Sequence, residues 1–294
     1  MLAWRMFLGP LLIAAFIGLF VVDARAGESA PLLLALVGFV AVRAVWELAQ
    51  LLRARFELSW PLLAGLSLMI VGANWLTAVP VFPALNAQGA GRLGFPMLAY
   101  ALACLALFLR GLARYRSPGK NIDVLGAEFL IVTYVAVFLS PAVQLRFFDL
   151  SLGYVPFASL IVAVKCGDTF AYFSGRWFGK TKLAPLVSPG KTRAGAVGAL
   201  IGAALGSWAW LTWGTQWLTN AAPGPWFWLL LYGLIVGLVG LLGDLAESLL
   251  KRDVEVKDSA PLLPGFGGLL DILDSIIFAG RVAYLLWLVL PLTK

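Results

Sequence analysis

Asp244, Glu247, Ser248 and Lys251 fall at i, i+3, i+4 and i+7, one polar stripe on an otherwise apolar run with helical spacing. Asp271 and Asp274 share a second face, with Ser275 beside them, and Lys165 and Asp168 stand three apart with Tyr172 one turn further on. Ionisable groups within hydrocarbon-length helices are expensive, about 2.5–3.5 kcal/mol each on insertion scales, and mark function by default. Lys165 can neutralise Asp168, but Asp271 and Asp274 have no basic residue within one turn. Adjacent carboxylates at low dielectric repel and take up a proton unless a cation sits between them. Two readings follow: a protonated or helix-to-helix paired set, or a hard divalent metal held by oxygen. The donors are carboxylates and the chain has no His, so the metal reading points to Mg²⁺, with phosphate oxygens completing its shell.

Two connecting segments carry complementary chemistry. Residues 176–193 read RWFGKTKLAPLVSPGKTR, with five basic residues, the hydroxyls of Ser188 and Thr192, and a Pro189-Gly190 bend that can turn amides toward an anion. A solvated basic loop that only sets topology is the competing reading. Gly190-Lys191-Thr192 imitates the end of a P-loop, but the first glycine of that motif would fall at Pro185 and no strand is expected before it. Residues 251–268 read KRDVEVKDSAPLLPGFGG, where Lys257-Asp258 precedes a Pro/Gly-rich turn into the Asp271 helix. Irregular backbone at membrane depth is tolerated only where it lines a protected cavity. Acids for a metal, bases and hydroxyls for phosphates, and lipid alongside describe phosphoryl or nucleotidyl transfer to a substrate in the bilayer.

The elements that hold these groups are set by composition. Of 294 residues, 61% are hydrophobic and 13% charged, with mean hydropathy +0.91. Globular chains run near 45–50% apolar and about 25% charged, so a soluble enzyme, a disordered chain and a fibrous one are excluded. An all-α polytopic membrane bundle is expected. Two cysteines in apolar runs give no disulfide framework, and the absence of His removes imidazole zinc sites and Ser–His or Cys–His nucleophiles. The net charge of +7 reads as topology and attraction to anionic lipid or substrate, not as nucleic-acid binding.

Runs near the ~20 residues a spanning helix needs occur at about 6–22, 31–51, 58–79, 94–112, 125–145, 154–175, 194–213, 225–247 and 268–291. Nine spans are therefore expected. The first is longer than a signal-peptide core and is read as a retained span. Connecting segments on one side hold 15 Lys/Arg against four on the other, which puts the amino terminus and the segments after even-numbered spans in the cytosol. Residues 1–115 would form four membrane helices, and 116–294 a five-span catalytic domain displaying the 176–193 and 251–268 loops. Arg43 and Glu47, at i, i+4, read as a structural ion pair. Gly198, Gly202 and Gly206 form a small-residue face that lets another helix approach.

Together these residues resemble the phosphatidate cytidylyltransferase (CDP-diacylglycerol synthase) family, whose hallmark reads approximately S-x-x-K-R-x4-K-D-x-S-x-x-L-P-G-H-G-G-x-x-D-R-x-D. Ser248, Lys251, Arg252, Lys257, Asp258, Leu263, Pro264, Gly265, Gly267, Gly268, Asp271 and Asp274 match it, and the stretch from Asp168 to Thr192 is similar too. Phe266 stands where the family commonly has His, Ile272 where it has Arg, and Ala194 where Glu often precedes Gly. The resemblance implies that CTP and phosphatidate become CDP-diacylglycerol and pyrophosphate in phospholipid biosynthesis. It implies Asp168, Asp244, Asp271 and Asp274 at metal, with Asp258 as a further ligand or support. Lys251, Arg252 and Lys257 would hold phosphates, and Ser188, Lys191 and Thr192 would grip the triphosphate or the phosphatidate head. Lys257, Asp258, Asp271 and Asp274 form the expected catalytic set. Mg²⁺, a monovalent cation such as K⁺, a homodimer and a bacterial inner membrane with the site facing the cytosol are further implications. The rivals are a CTP-dependent polyprenol or phytol kinase, a cation-coupled transporter, and a pseudoenzyme suggested by Phe266 and Ile272.

Overall fold

A computed structural model describes residues 2–78, 91–119, 121–256 and 268–294. A helix stands at each expected span: α1 (Leu2–Arg25), α2 (Pro31–Leu52), α3 (Trp60–Gly72, extended by a tighter turn to Ala78), α4 (Gly91–Arg114), α5 (Asn121–Gln144), α6 (Val155–Phe178), α7 (Arg193–Leu218), α8 (Trp226–Asp253) and α9 (Leu270–Val289). Among the described residues, seven helices are long and apolar enough to cross a membrane, and Trp60–Leu76 is a shorter apolar helix. The chain is an all-α polytopic membrane protein.

Helix starts follow local chemistry. Pro31, Pro61 and Pro156 occupy first-turn positions of α2, α3 and α6, where the missing N–H is no loss and φ is already set. Both α5 and α7 pass through one wide π turn, at Thr133–Val137 and Trp210–Gly214. In α5 this turn lies just before Pro141, whose ring cannot complete the regular ladder.

The chain divides into two compact units: Met1–Ser140 with Asp258–Ile272, and Pro141–Lys257 with Leu273–Lys294. In the first, α2 packs on α3, and α5 packs on α3 and α4. Arg110 of α4 pairs with the buried Glu128 of α5, and Asn74 donates to Ser140 Oγ at 3.0 Å. The expected Arg43–Glu47 pair is present at 3.1 Å. Glu47 does more than pair: its two carboxylate oxygens accept from the backbone N–H groups of Leu269 (3.0 Å) and Leu270 (2.9 Å). A side chain of α2 thus satisfies the orphan donors that open α9.

In the second unit, α7 lies between α6 and α8. The expected glycine face is where α6 approaches. A Cβ on Gly202 would meet Phe170 and the Cys166 carbonyl, and one on Gly206 would meet the Cys166 side chain 2.6 Å away. Gly233 and Gly237 of α8 face Ala203 in the same manner. Gly202→Leu is therefore expected to lower the unfolding temperature in detergent solution by about 5–10 °C, the shift that follows from overpacking a close helix contact. Gly65→Leu, where added atoms meet open space, should shift it far less. A buried polar node joins α6, α8 and α9: Ser159 Oγ lies 2.8 Å from Tyr232 Oη and accepts from Trp287 Nε1 at 3.1 Å.

Candidate active site

The site residues on described segments of the second unit come from α6, α8 and α9 and from one hairpin. On α6, Lys165 Nζ donates to Asp168 Oδ2 at 3.0 Å, as their spacing predicted, and Arg176 donates to Tyr172 Oη at 3.2 Å. α6 continues to Phe178, so Arg176 is helical and not in a loop, where its charge faces the negative end of the helix dipole.

The expectation that no strand precedes Gly190-Lys191-Thr192 is overturned. Lys182–Ala184 (β1) and Ser188–Thr192 (β2) pair antiparallel, with Lys182 opposite Thr192 and Ala184 opposite Ser188. Strands of three and five residues are too short for an alternating pattern to register. The hairpin is still no P-loop, since Pro185 occupies the turn where that motif needs its first glycine. Its function is positional. Thr192 sits with extended backbone at the N-cap of α7 and accepts from Gly195 N at 3.1 Å, which satisfies an orphan donor and leaves the hydroxyl hydrogen to offer a phosphate. Ser188 is half-buried on β2. Between them, Lys191 reaches α8, its Nζ 2.6 Å from Asp244 Oδ2.

The polar stripe of α8 is realised as spaced. Lys251 Nζ donates to Glu247 at 3.0 Å, and Glu247 is 1% exposed. Lys251 and Arg252 belong to the last turn of α8, which runs to Asp253, and not to the loop assigned to them. Basic side chains there favour continuation of the helix. Arg252 Nε donates to Val187 O at 3.2 Å and its Nη1 to Val256 O at 3.0 Å, bracing the hairpin tip against the end of α8. Asp274 of α9 is 4% exposed; it contacts Glu247 and lies within the fields of Asp244 and Lys165. Gly243 allows this approach, for a Cβ there would lie 3.0 Å from the Phe278 ring and 3.1 Å from Asp274 O.

Asp244, Glu247 and Asp274 thus gather with Lys165, Lys191 and Lys251 around them. Glu247 is the member that motif reasoning passed over, although its i+3 spacing from Asp244 carried the signal. Asp168 joins through Lys165. Asp271 belongs to the first unit and performs a local task, accepting from Gly268 N at 2.7 Å across the first turn of α9. Lys257, Asp258 and Phe266 lie outside the described residues. Ile272, where Arg was the family pattern, closes the entry of α9 with its N–H on Leu269 O at 3.2 Å.

The need for an external cation changes accordingly. Three ammonium groups of the chain itself supply charge to the acids, so burial alone does not demand a metal. Among the described residues no group of three His, Cys, Asp or Glu side chains is placed to hold an ion. Mg²⁺ commonly takes only one or two carboxylates and fills its octahedron with water and substrate phosphate. The all-oxygen pair Asp244 and Asp274 fits that mode, and does not fit a dedicated protein cage.

Residues 4–290 match the model of the cytidylyltransferase family. The chain belongs to that family. Among curated relatives, the phosphatidate cytidylyltransferase of Bacillus subtilis is 32% identical over 248 residues, 83% of this chain and 84% of that one. The Synechocystis enzyme of the same name is 43% identical over 139 residues, 45% of this chain and 44% of its own length. That of Haemophilus influenzae is 35% identical over 167 residues, 57% of each chain. Against the latter two, this chain spans about half of the relative's length.

Proposed function

We propose that the chain transfers the cytidylyl group of CTP to phosphatidate, giving CDP-diacylglycerol and pyrophosphate within a bacterial inner membrane, with the site facing the cytosol. The observation that carries this reading is the Lys191–Asp244 contact at 2.6 Å beside the buried Asp274, on a chain of the cytidylyltransferase family. Two anionic substrates must meet there, and this cluster holds both signs of charge needed to bring them together.

The nucleophile is an oxygen of the phosphatidate monoester, already largely ionised near neutral pH because the second pKa of such esters is about 6. It attacks the α-phosphorus of CTP. A P–O bond forms there as the bond to the bridging oxygen of the β-phosphate breaks, and that electron pair leaves with pyrophosphate. No proton has to be drawn from the nucleophile, so a chain without His lacks nothing for this step. Lys191, Lys165 and Lys251 stand on carboxylates and turn to phosphate oxygens when substrate enters. Asp244 and Asp274 would hold Mg²⁺. When bound, that ion neutralises phosphate charge and templates in-line displacement. Ser188 and Thr192 donate hydroxyls to phosphate, Arg252 keeps the hairpin in register, and Lys257 and Asp258 take their roles from the family motif. K⁺ as a second cation and a homodimeric state complete the proposal.

The test uses purified protein with labelled CTP, phosphatidate and Mg²⁺. Pyrophosphate release with cytidine retained on lipid is expected, abolished by EDTA and restored by Mg²⁺. Release of CDP would establish a lipid kinase instead, turnover unaffected by EDTA would remove the metal, and ion uptake into liposomes without lipid turnover would establish a transporter.

A further inference from the structure

A polar cavity lies in the first unit, remote in sequence from the candidate active-site residues of the second. It has a volume of about 210 Å³ and is lined by Glu57, Arg110, Gly111, Arg114, Asn121, Val124, Leu125 and Glu128. Arg110 and Arg114 stand one helical turn apart at the end of α4, close enough for each charge to act on the other. Arg110 is committed to the buried Glu128. Arg114 is exposed and, among the described residues, makes no ion pair. Asn121 faces the same space from the start of α5.

Gly111 lets α4 and α5 approach closely beside this cavity, for a Cβ there would lie 3.3 Å from Leu125. Beside it the apolar side chains of Leu112 and Ile122 are 74% and 82% exposed, a surface suited to acyl chains. Arg110 and Arg114 close the 22-residue span Leu93–Arg114, which sets them at headgroup depth. Guanidinium groups bind phosphate through paired N–H donors, and basic clefts between helix ends are a recurring form of lipid headgroup recognition. Glu57 at the exposed rim suits a headgroup that donates hydroxyl hydrogens.

We propose that this cleft between α4 and α5 binds the phosphodiester of an anionic phospholipid, with Arg114 as the principal phosphate contact, Arg110 held ready by Glu128, and Asn121 donating alongside. The site is independent of the catalytic reading and stands whether or not the protein transfers cytidylyl groups.

The experiment measures retained lipid by native mass spectrometry after the full chain is exchanged into mixed micelles carrying either phosphatidylglycerol or phosphatidylcholine. The wild-type protein is expected to retain phosphatidylglycerol over phosphatidylcholine by fivefold or more. Arg114→Gln should erase that preference with an unchanged unfolding temperature, while Arg116→Gln, outside the cavity lining, should keep it. Equal retention of both lipids, an undiminished preference in Arg114→Gln, or complete displacement of phosphatidylglycerol by inorganic phosphate alone would each overturn the assignment.

Discussion

Asp274→Asn is expected to lower CDP-diacylglycerol formation by roughly 10²- to 10³-fold, the range for removal of one electrostatic contributor to a transition state. The substitution keeps volume and an oxygen that can accept from the Ser275 N–H, as Asp274 Oδ1 does now. It removes the negative charge that sits with Asp244 and Glu247. The protein should therefore insert and unfold as the wild type does while losing turnover, and a raised Mg²⁺ requirement would accompany the loss. Asp271→Asn is also expected to abolish product formation on the family motif, although its carboxylate is seen capping Gly268 N. The pair of variants separates the two acids: a fall in stability confined to Asp271→Asn would mark it as a cap. Activity near wild type in Asp274→Asn would remove that residue from the metal site.

The largest stability effect is expected at Glu47. Its carboxylate, with 0% exposure, holds Arg43 at 3.1 Å and two N–H groups of the α9 entry. Glu47→Leu strands all three partners, and breaking a buried pair from one side costs about 3–5 kcal/mol. Arg43→Gln should cost much less, because Arg43 is partly exposed and Glu47 keeps its two backbone donors at a positive helix end. Arg43→Gln should also spare turnover relative to its effect on stability. Thermal unfolding and limited proteolysis in detergent measure the difference, and unfolding of Glu47→Leu at the wild-type temperature would refute the bracing role.

The membrane helices were legible because hydrocarbon-length apolar runs between charged breaks are a strong, local signal. So were the pairs Arg43–Glu47 and Lys165–Asp168, each written within one helical turn, and the one-faced stripe that carries Glu247 and Lys251. What escaped reading depends on residues far apart in the chain. Glu47 meets α9 across 222 and 223 positions, and the spacing that announced its pairing with Arg43 carried no trace of the second task. Lys191 and Asp244 likewise meet across the whole of α7, so the acids looked unpartnered when each was judged by its own helix. The hairpin was missed because Arg252 and the α7 cap hold it, more than any pattern of its own.

A chain that carries its own counter-ions can be threaded into the bilayer before any nutrient ion arrives. Because lysines of α6, β2 and α8 already answer the acids, the charge balance of the cluster is written into the chain itself.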